Sequence, residues 1–299
     1  MVRTLRYGIL ILVTIIASPG YAWHIIGGEI TYTCEGNGRY HFIMKIYRDC
    51  RAQANQAAPL DDPAPIGIYR GGALITSMPV RLSNVRFIDP PDFPCLIPPD
   101  NLCVEEGTYE WDWQFEDWPS NSTYRVIYQR CCRNNTIVNI AAPEDIGATY
   151  AIDITPQSQA VCNNSPTFRL FPPTVVCVDN DVDFDHSAID AEGDSLVYSF
   201  CSPLKGGGLR GTPRFDPTGN PTACDGFRPN PPCPPPFQQV AFIGPYSRIQ
   251  PMAGDPVVSI NSRSGRINGK PKIIGQFVMG VCVKEYRDSI LLGEIRRDF

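Results

Sequence analysis

The sequence predicts an all-β protein: two tandem β-sandwich domains of immunoglobulin- or cadherin-like type, stabilised by disulfides. Three observations carry that expectation. Apolar and polar residues alternate over strand-length runs, as in 108–115, where Tyr109, Trp111, Trp113 and Phe115 share one face and Glu110, Asp112 and Gln114 the other. Such runs are separated by turn residues, 30 Pro and 25 Gly spread without a collagen-like period. The acidic Gly turn within 182–199, the Ser264-Gly265 turn within 264–271 and the run 275–281 read as three pieces of one sandwich, a pattern of extracellular adhesion modules.

Taken in order, Arg3 and Arg6 precede an apolar stretch at 7–17, and Gly20 and Ala22 stand third-last and last before a cut ahead of Trp23. Residues 1–22 therefore read as a secretory signal peptide. The apolar stretch is far shorter than the roughly 20 residues that span a bilayer, and no later segment is longer and equally apolar. The expected location is secreted or on the outer cell surface, with no membrane span after signal removal. The first domain, 23–160, opens with a hairpin, because the β-rich runs 29–34 and 39–47 flank Asn37-Gly38. Runs 108–115, 124–128 and 150–154 supply further strands. An Ala/Gln-rich run between Arg51 and Asp62 suits one short helix, whereas the Pro-rich residues 89–99 must be extended loop, since Pro can neither donate to a ladder nor continue a helix.

The Pro-rich stretch 155–173 marks the boundary, and the second domain, 161–299, has its first strand near Thr174. Its strand through Val197 and Tyr198 ends by Pro203, where a Gly/Pro-rich insertion runs over about 203–239. Gly206, Gly208 and Gly211 there form a literal G-x-G-x-x-G, but no βαβ unit surrounds it, so no nucleotide cofactor is expected.

The 12 cysteines are even in number, as an oxidising compartment requires: Cys34, Cys50, Cys95, Cys103, Cys131, Cys132, Cys162, Cys177, Cys201, Cys224, Cys233 and Cys282. Zinc is disfavoured, since Cys-x-x-Cys is absent and Cys131-Cys132 is too cramped for a two-ligand half-site. Cys95 with Cys103 and Cys224 with Cys233 would close short Pro-rich loops and are the local pairs to expect first; the remaining pairing is open. A balance of 26 basic against 31 acidic residues leaves no basic face for nucleic acid or anionic lipid.

Three constellations could carry chemistry. Asp183, Asp185, Asp190, Glu192 and Asp194, with Asp179 and Asp181 nearby, offer hard oxygen ligands in a short span, as a Ca2+ site needs, though without the EF-hand spacing. Solvated turn carboxylates would look the same. The aromatic run ending at Trp118 could stack on sugar; strict alternation favours core packing for its members and leaves Trp118, beside Pro119, as the ligand candidate. Arg130, Arg133, Asn134 and Asn135 around the vicinal cysteines read as a structural turn satisfying backbone carbonyls. Catalytic templates are missing: G-x-S-x-G, H-E-x-x-H and P-loop patterns do not occur, and Asp185 and His186 point to opposite strand faces. The chain is therefore expected not to be an enzyme.

Residues 24–32, 47–50, 128–137, 184–190, 193–198 and 281–287 together resemble the N-terminal region of large secreted surface proteins of Bacteroidetes-type bacteria, which often end in a gliding-motility-associated C-terminal sorting domain. The resemblance implies export by a type IX-like route and display or release at the cell surface, and implies no reaction. Residues 296–299 read as part of a last strand without the family's repeat array after it, so a truncated product or a fragment is expected. The resulting expectation is a non-enzymatic secreted module for adhesion, matrix building or display, whose partner is a cell-surface or matrix glycan or protein. The alternatives are a carbohydrate-binding module acting through Trp118 and an exported hydrolase with convergent carboxylates.

Overall fold

The computed structural model describes residues 25–50, 59–89, 102–207 and 226–299, with short strands at 214–215 and 221–223. In chain order its strands are β1 (Ile25–Gly36), β2 (Arg39–Asp49), β3 (Ala64–Arg70), β4 (Ala73–Val80), β5 (Leu82–Phe87), β6 (Val104–Gln114), β7 (Tyr124–Arg130), β8 (Ala148–Ile154) and β9 (Thr167–Phe168). The later part adds β10 (Val182–Asp185), β11 (Ala188–Ile189), β12 (Ser195–Cys201), β13 (Arg214–Phe215), β14 (Pro221–Ala223), β15 (Ser259–Ile260), β16 (Arg266–Gly269), β17 (Gly280–Arg287) and β18 (Ile290–Asp298).

The fold is all-β, made of several antiparallel sheets without barrel closure and stapled by disulfides. A seven-stranded sheet of order β12-β17-β18-β1-β2-β6-β5 stacks on a four-stranded sheet of order β4-β3-β7-β8. Phe42, Met44, Tyr109 and Trp111 from the first sheet and Ile66, Ile68, Val126 and Ile152 from the second belong to one buried cluster. The alternation of 108–115 sets this up: Tyr109, Trp111 and Phe115 are buried, and Trp113 packs against the same cluster half-buried. Phe42 stacks on Trp111 with ring centroids 5.3 Å apart. The β1–β2 hairpin turns through Asn37 and Gly38, both at positive φ (51° and 79°), as a two-residue hairpin turn of this hand requires.

The boundary expected at 160/161 is crossed by the seven-stranded sheet. β1 pairs with β2 on one side and with β18 on the other, Gly28 lying opposite Asp298. The approach is close enough that a Cβ at Gly27 would collide with the Asp298 backbone. The core is continuous across the same line, because Phe200, Val258, Ile267, Val281 and Val283 join the cluster that holds Phe42 and Ile66. The pieces expected to build one later sandwich divide accordingly: β12 and β17 lie in the large sheet, whereas β10 and β16 lie with β15 in a three-stranded sheet. Residues 155–173, expected to mark the boundary, begin with helix α1 (Pro156–Ala160), whose Ser158 N–H donates to the Thr155 side chain at 3.1 Å.

Four disulfides join described residues: Cys34–Cys162, Cys50–Cys103, Cys131–Cys132 and Cys201–Cys282. The expected Cys95–Cys103 pair is thereby corrected. The β2–β6 ladder ends with Asp49 opposite Val104, which brings Cys50 and Cys103 side by side at a Cα separation of 5.0 Å. Cys177 and Cys233 are also disulfide-bonded; Cys95 and Cys224, and with Cys224 the expected Cys224–Cys233 pair, lie outside the described residues. Of the run between Arg51 and Asp62 expected to hold a short helix, 51–58 lie outside the described residues and 59–62 are not helical; residues 90–99 of the expected loop, and Gly208 and Gly211, also lie outside them.

Candidate cation site

After β11 the chain turns through Asp190, Glu192 and Gly193, the last at φ 83°. The Asp190 side chain organises this turn: Oδ1 accepts the backbone N–H of Glu192 at 3.1 Å and of Asp194 at 2.7 Å. β12 then starts at Ser195 and pairs with β17, placing Leu196 opposite Glu285. One carboxylate oxygen from each of Asp190, Glu192, Asp194 and Glu285 lies within 4.8 Å of all the others.

The surrounding groups hold these carboxylates in place. Asn163 donates Nδ2–H to Glu285 Oε1 at 2.6 Å, and its Oδ1 accepts from Arg287 Nη2 at 2.9 Å. Arg287 clamps Asp194 through Nε and Nη2 at 2.8 and 2.6 Å. Asn164 donates its backbone N–H and its side-chain amide to Glu192 Oε1 at 3.1 and 2.6 Å. Glu285 is 1 % exposed. Burial, reinforced by the Asp190 and Asp194 carboxylates, pushes its carboxyl up to about 9 against the favourable Asn163 contact. The Arg287 guanidinium instead holds Asp194 below the usual carboxylate range. The Asp190 Oδ2 atom is buried without a hydrogen bond. Four convergent hard oxygens, one of them buried and unpartnered, suit a hard divalent cation better than a soft metal or a zinc set of Cys and His.

Sequence reasoning named Asp190, Glu192 and Asp194, and the structure brings them together. Asp183 and Asp185 do not join them. Both sit at alternate positions of β10, in the three-stranded sheet, where Asp183 pairs with Arg266 and accepts from Asn268 Nδ2 at 2.8 Å, and Asp185 accepts the Ser187 N–H at 3.0 Å. Asp179 and Asp181 are likewise engaged by Lys272 and Lys270. Glu285 and Asn163 were missed, since their only link to the acidic turn is strand register and a long-range contact.

Trp118, the sugar-stacking candidate, is half-buried against the core, and its indole N–H donates to the Tyr40 hydroxyl at 3.1 Å. The polar knot also differs from expectation: its guanidinium groups and one amide meet carboxylates. Arg133, fully buried, donates to Asp298 at 2.7 Å and to the Leu204 carbonyl at 3.3 Å; Arg130 pairs with Asp61; and Asn134 donates to Asp49 at 3.0 Å. His186 is fully buried among the rings of Phe168, Phe184 and Phe299, with no hydrogen bond to either ring nitrogen, which leaves no triad around it. No described helix is long and apolar enough to cross a membrane. Compared with known proteins, the chain matches no family model, no curated protein and no solved structure.

Proposed function

We propose that the chain is a non-enzymatic module of the cell exterior, serving adhesion or display, that a calcium ion stiffens at Asp190, Glu192, Asp194 and Glu285. The observation that carries this reading is the convergence of those four carboxylates, with Asp190 Oδ2 buried and unpartnered. A cation there would tie the β11–β12 turn to β17, and through Asn163 to the segment that the Cys34–Cys162 disulfide fastens to β1. Disulfide density and the secretory reading of residues 1–22 support an exterior location. The carbohydrate-binding alternative draws less support, because Trp118 packs inward. The hydrolase alternative has one feature in its favour, the raised Glu285 beside an ionised Asp194. At 1 % exposure, however, Glu285 cannot reach a substrate oxygen.

Thermal unfolding of the oxidised chain in EGTA and in about 10 mM calcium tests the proposal. Extracellular sites of this kind have Kd values of about 10⁻⁴–10⁻³ M, so saturation adds roughly 1.4–2.7 kcal/mol of native-state stability. That corresponds to a midpoint rise of about 3–10 °C for a chain of this size. The rise should vanish in the Asp190→Ala/Asp194→Ala variant. An unshifted midpoint, or a shift that survives both substitutions, would overturn the assignment.

A further inference from the structure

We infer that a second site, distinct from the acidic cluster, binds an uncharged apolar molecule carrying a single hydrogen-bonding group, such as a chain alcohol or ester. The site is a cavity of about 810 Å³, within the range of about 300–1,000 Å³ typical of small-molecule pockets. Its walls come from β1, β2 and β6 of the large sheet, from β10 and β16 of the three-stranded sheet, and from the segments 171–178 and 273–279. Ile26, Val104, Phe171, Val176, Ile267 and Phe277 give it an aliphatic and aromatic lining.

Three features narrow the ligand class. First, none of the described lining residues is Lys, Arg or His, and the one acidic residue is Asp49, 4 % exposed and hydrogen-bonded to Asn134. A carboxylate or phosphate headgroup entering here would lose its water and find no cation among the described lining residues. Asp49 itself is buried and already accepts the Asn134 amide at 3.0 Å, so it is not presented to a ligand headgroup. Second, Thr174 lies in the wall and its hydroxyl is buried without a hydrogen-bond partner. One neutral hydroxyl or carbonyl on a ligand would satisfy it after a rotation of the Thr174 side chain, recovering the cost of an unpaired buried group. Third, the entrance is apolar: Ile274, at 87 % the most exposed large hydrophobic among the described residues, and Ile273, at 42 %, stand on one lining segment. Ile273 and Ile274 thus carry the apolar lining of the cavity out to the surface.

The walls are also held in advance of binding. The Asp179 N–H donates to the Pro271 carbonyl at 2.9 Å and Lys272 pairs with Asp179 at 2.7 Å, so the two rim segments are tied to one another. Below them β10 and β16 are joined by a continuous ladder from Val182–Gly269 to Asp185–Arg266. A ligand therefore meets a preformed pocket and loses little affinity to ordering it.

The test uses the oxidised chain and the neutral dye Nile red, with 1-decanol and decanoate as competitors of equal chain length and different charge, at pH 7. Saturable dye fluorescence displaced by decanol at least about tenfold more effectively than by decanoate is expected. Val176→Trp, which fills the cavity, should abolish dye binding, and Ile274→Asp, on the exposed rim where folding is not at stake, should weaken it several-fold. Dye uptake that does not saturate, that survives both substitutions, or that decanoate displaces as well as decanol would overturn the inference. The result is independent of calcium, so this site and the cation site stand or fall separately.

Discussion

Arg297→Met removes the guanidinium that clasps the first described strand to the last. Arg297 Nε and Nη2 donate to the two carboxylate oxygens of Glu29 at 2.7 and 2.6 Å, both side chains are at most 6 % exposed, and the guanidinium lies 4.1 Å from the Phe168 ring centroid. Met keeps much of the packing volume but leaves the Glu29 carboxylate buried, with the Tyr47 hydroxyl, at 3.3 Å, as its remaining side-chain donor among the described residues. Breaking one side of a buried pair costs about 3–5 kcal/mol. With a urea m-value of about 2–3 kcal/mol/M, the unfolding midpoint should fall by about 1–2.5 M. All four tryptophans precede residue 160, so their fluorescence reports the first part of the chain, whereas far-UV circular dichroism reports all of it. Because β1 and β18 share one sheet and one core, both probes should move together. Glu29→Gln/Arg297→Met, which removes both charges, should regain most of the loss. A fluorescence transition that stays in place while the dichroism transition shifts would refute the argument and restore two independent domains.

Four further outcomes follow from the same geometry. Burial, with the Arg297 charge adding to it, holds the His186 imidazole well below its ordinary value. The unfolded chain therefore takes up a proton below about pH 6.5 that the native chain refuses, and stability drops with falling pH by up to about 1.4 kcal/mol per unit. His186→Phe, suited to the surrounding rings, should flatten that slope in urea titrations between pH 5 and pH 7, and an unchanged slope would assign it to other groups. Glu285 has the opposite sign: its native carboxyl titrates near 9 against 4.5 for the ordinary group, so in EGTA its contribution is full below 4.5 and is lost as pH rises through about 9. Glu285→Gln should therefore be the more stable protein at pH 9 in chelator and should lose the calcium response. Phe42→Ala, at a fully buried ring stacked on Trp111, should cost about 3–5 kcal/mol in equilibrium unfolding. Cys34→Ser/Cys162→Ser opens a link between residues 128 apart in sequence and should cost about 2–5 kcal/mol without altering the far-UV spectrum at low temperature.

What could be read in advance was what neighbouring residues encode. Asn37-Gly38 specifies the first hairpin because both φ values are positive, and the run from Tyr109 to Phe115 specifies a strand with one buried face because its alternation matches the pleat. Long-range register left no such mark. Nothing near Gly28 announces Asp298 as its partner, and nothing near Cys103 prefers Cys50 over Cys95 until β2 and β6 are paired. Asp183 and Asp194 are equal as sequence, both acidic and both near strand ends. They differ in what pairing delivers: β16 brings Arg266 and Asn268 to Asp183, whereas β17 brings Glu285 and Arg287 to Asp194. Local composition thus identified the acidic turn, and register decided which carboxylates converge there.

The β17–β18 hairpin occupies a special place in this arrangement. It carries Glu285 and Arg287 to the acidic turn, Arg297 to Glu29, and Asp298 to the buried Arg133 guanidinium. In the docked fold Arg297, Glu29, Arg133 and Asp298 are buried, so each would be uncompensated if its partner were missing, and an uncompensated buried charge costs far more than a pair. Both buried pairs form only in the register that sets Gly28 opposite Asp298, so they favour that register of β18 against β1. Under the proposed function the cation acts on the same step, since three of its ligands lie on the turn and the fourth on β17. An ion bound there stabilises the docked hairpin, and with it the sheet and core that β17 and β18 share with β1, β2 and β6. Calcium should accordingly slow hydrogen exchange of the β12, β17 and β18 amides by the factor that matches its gain in native-state stability; amides of those strands that exchange at the same rate with and without calcium would refute the placement of the ion on this step.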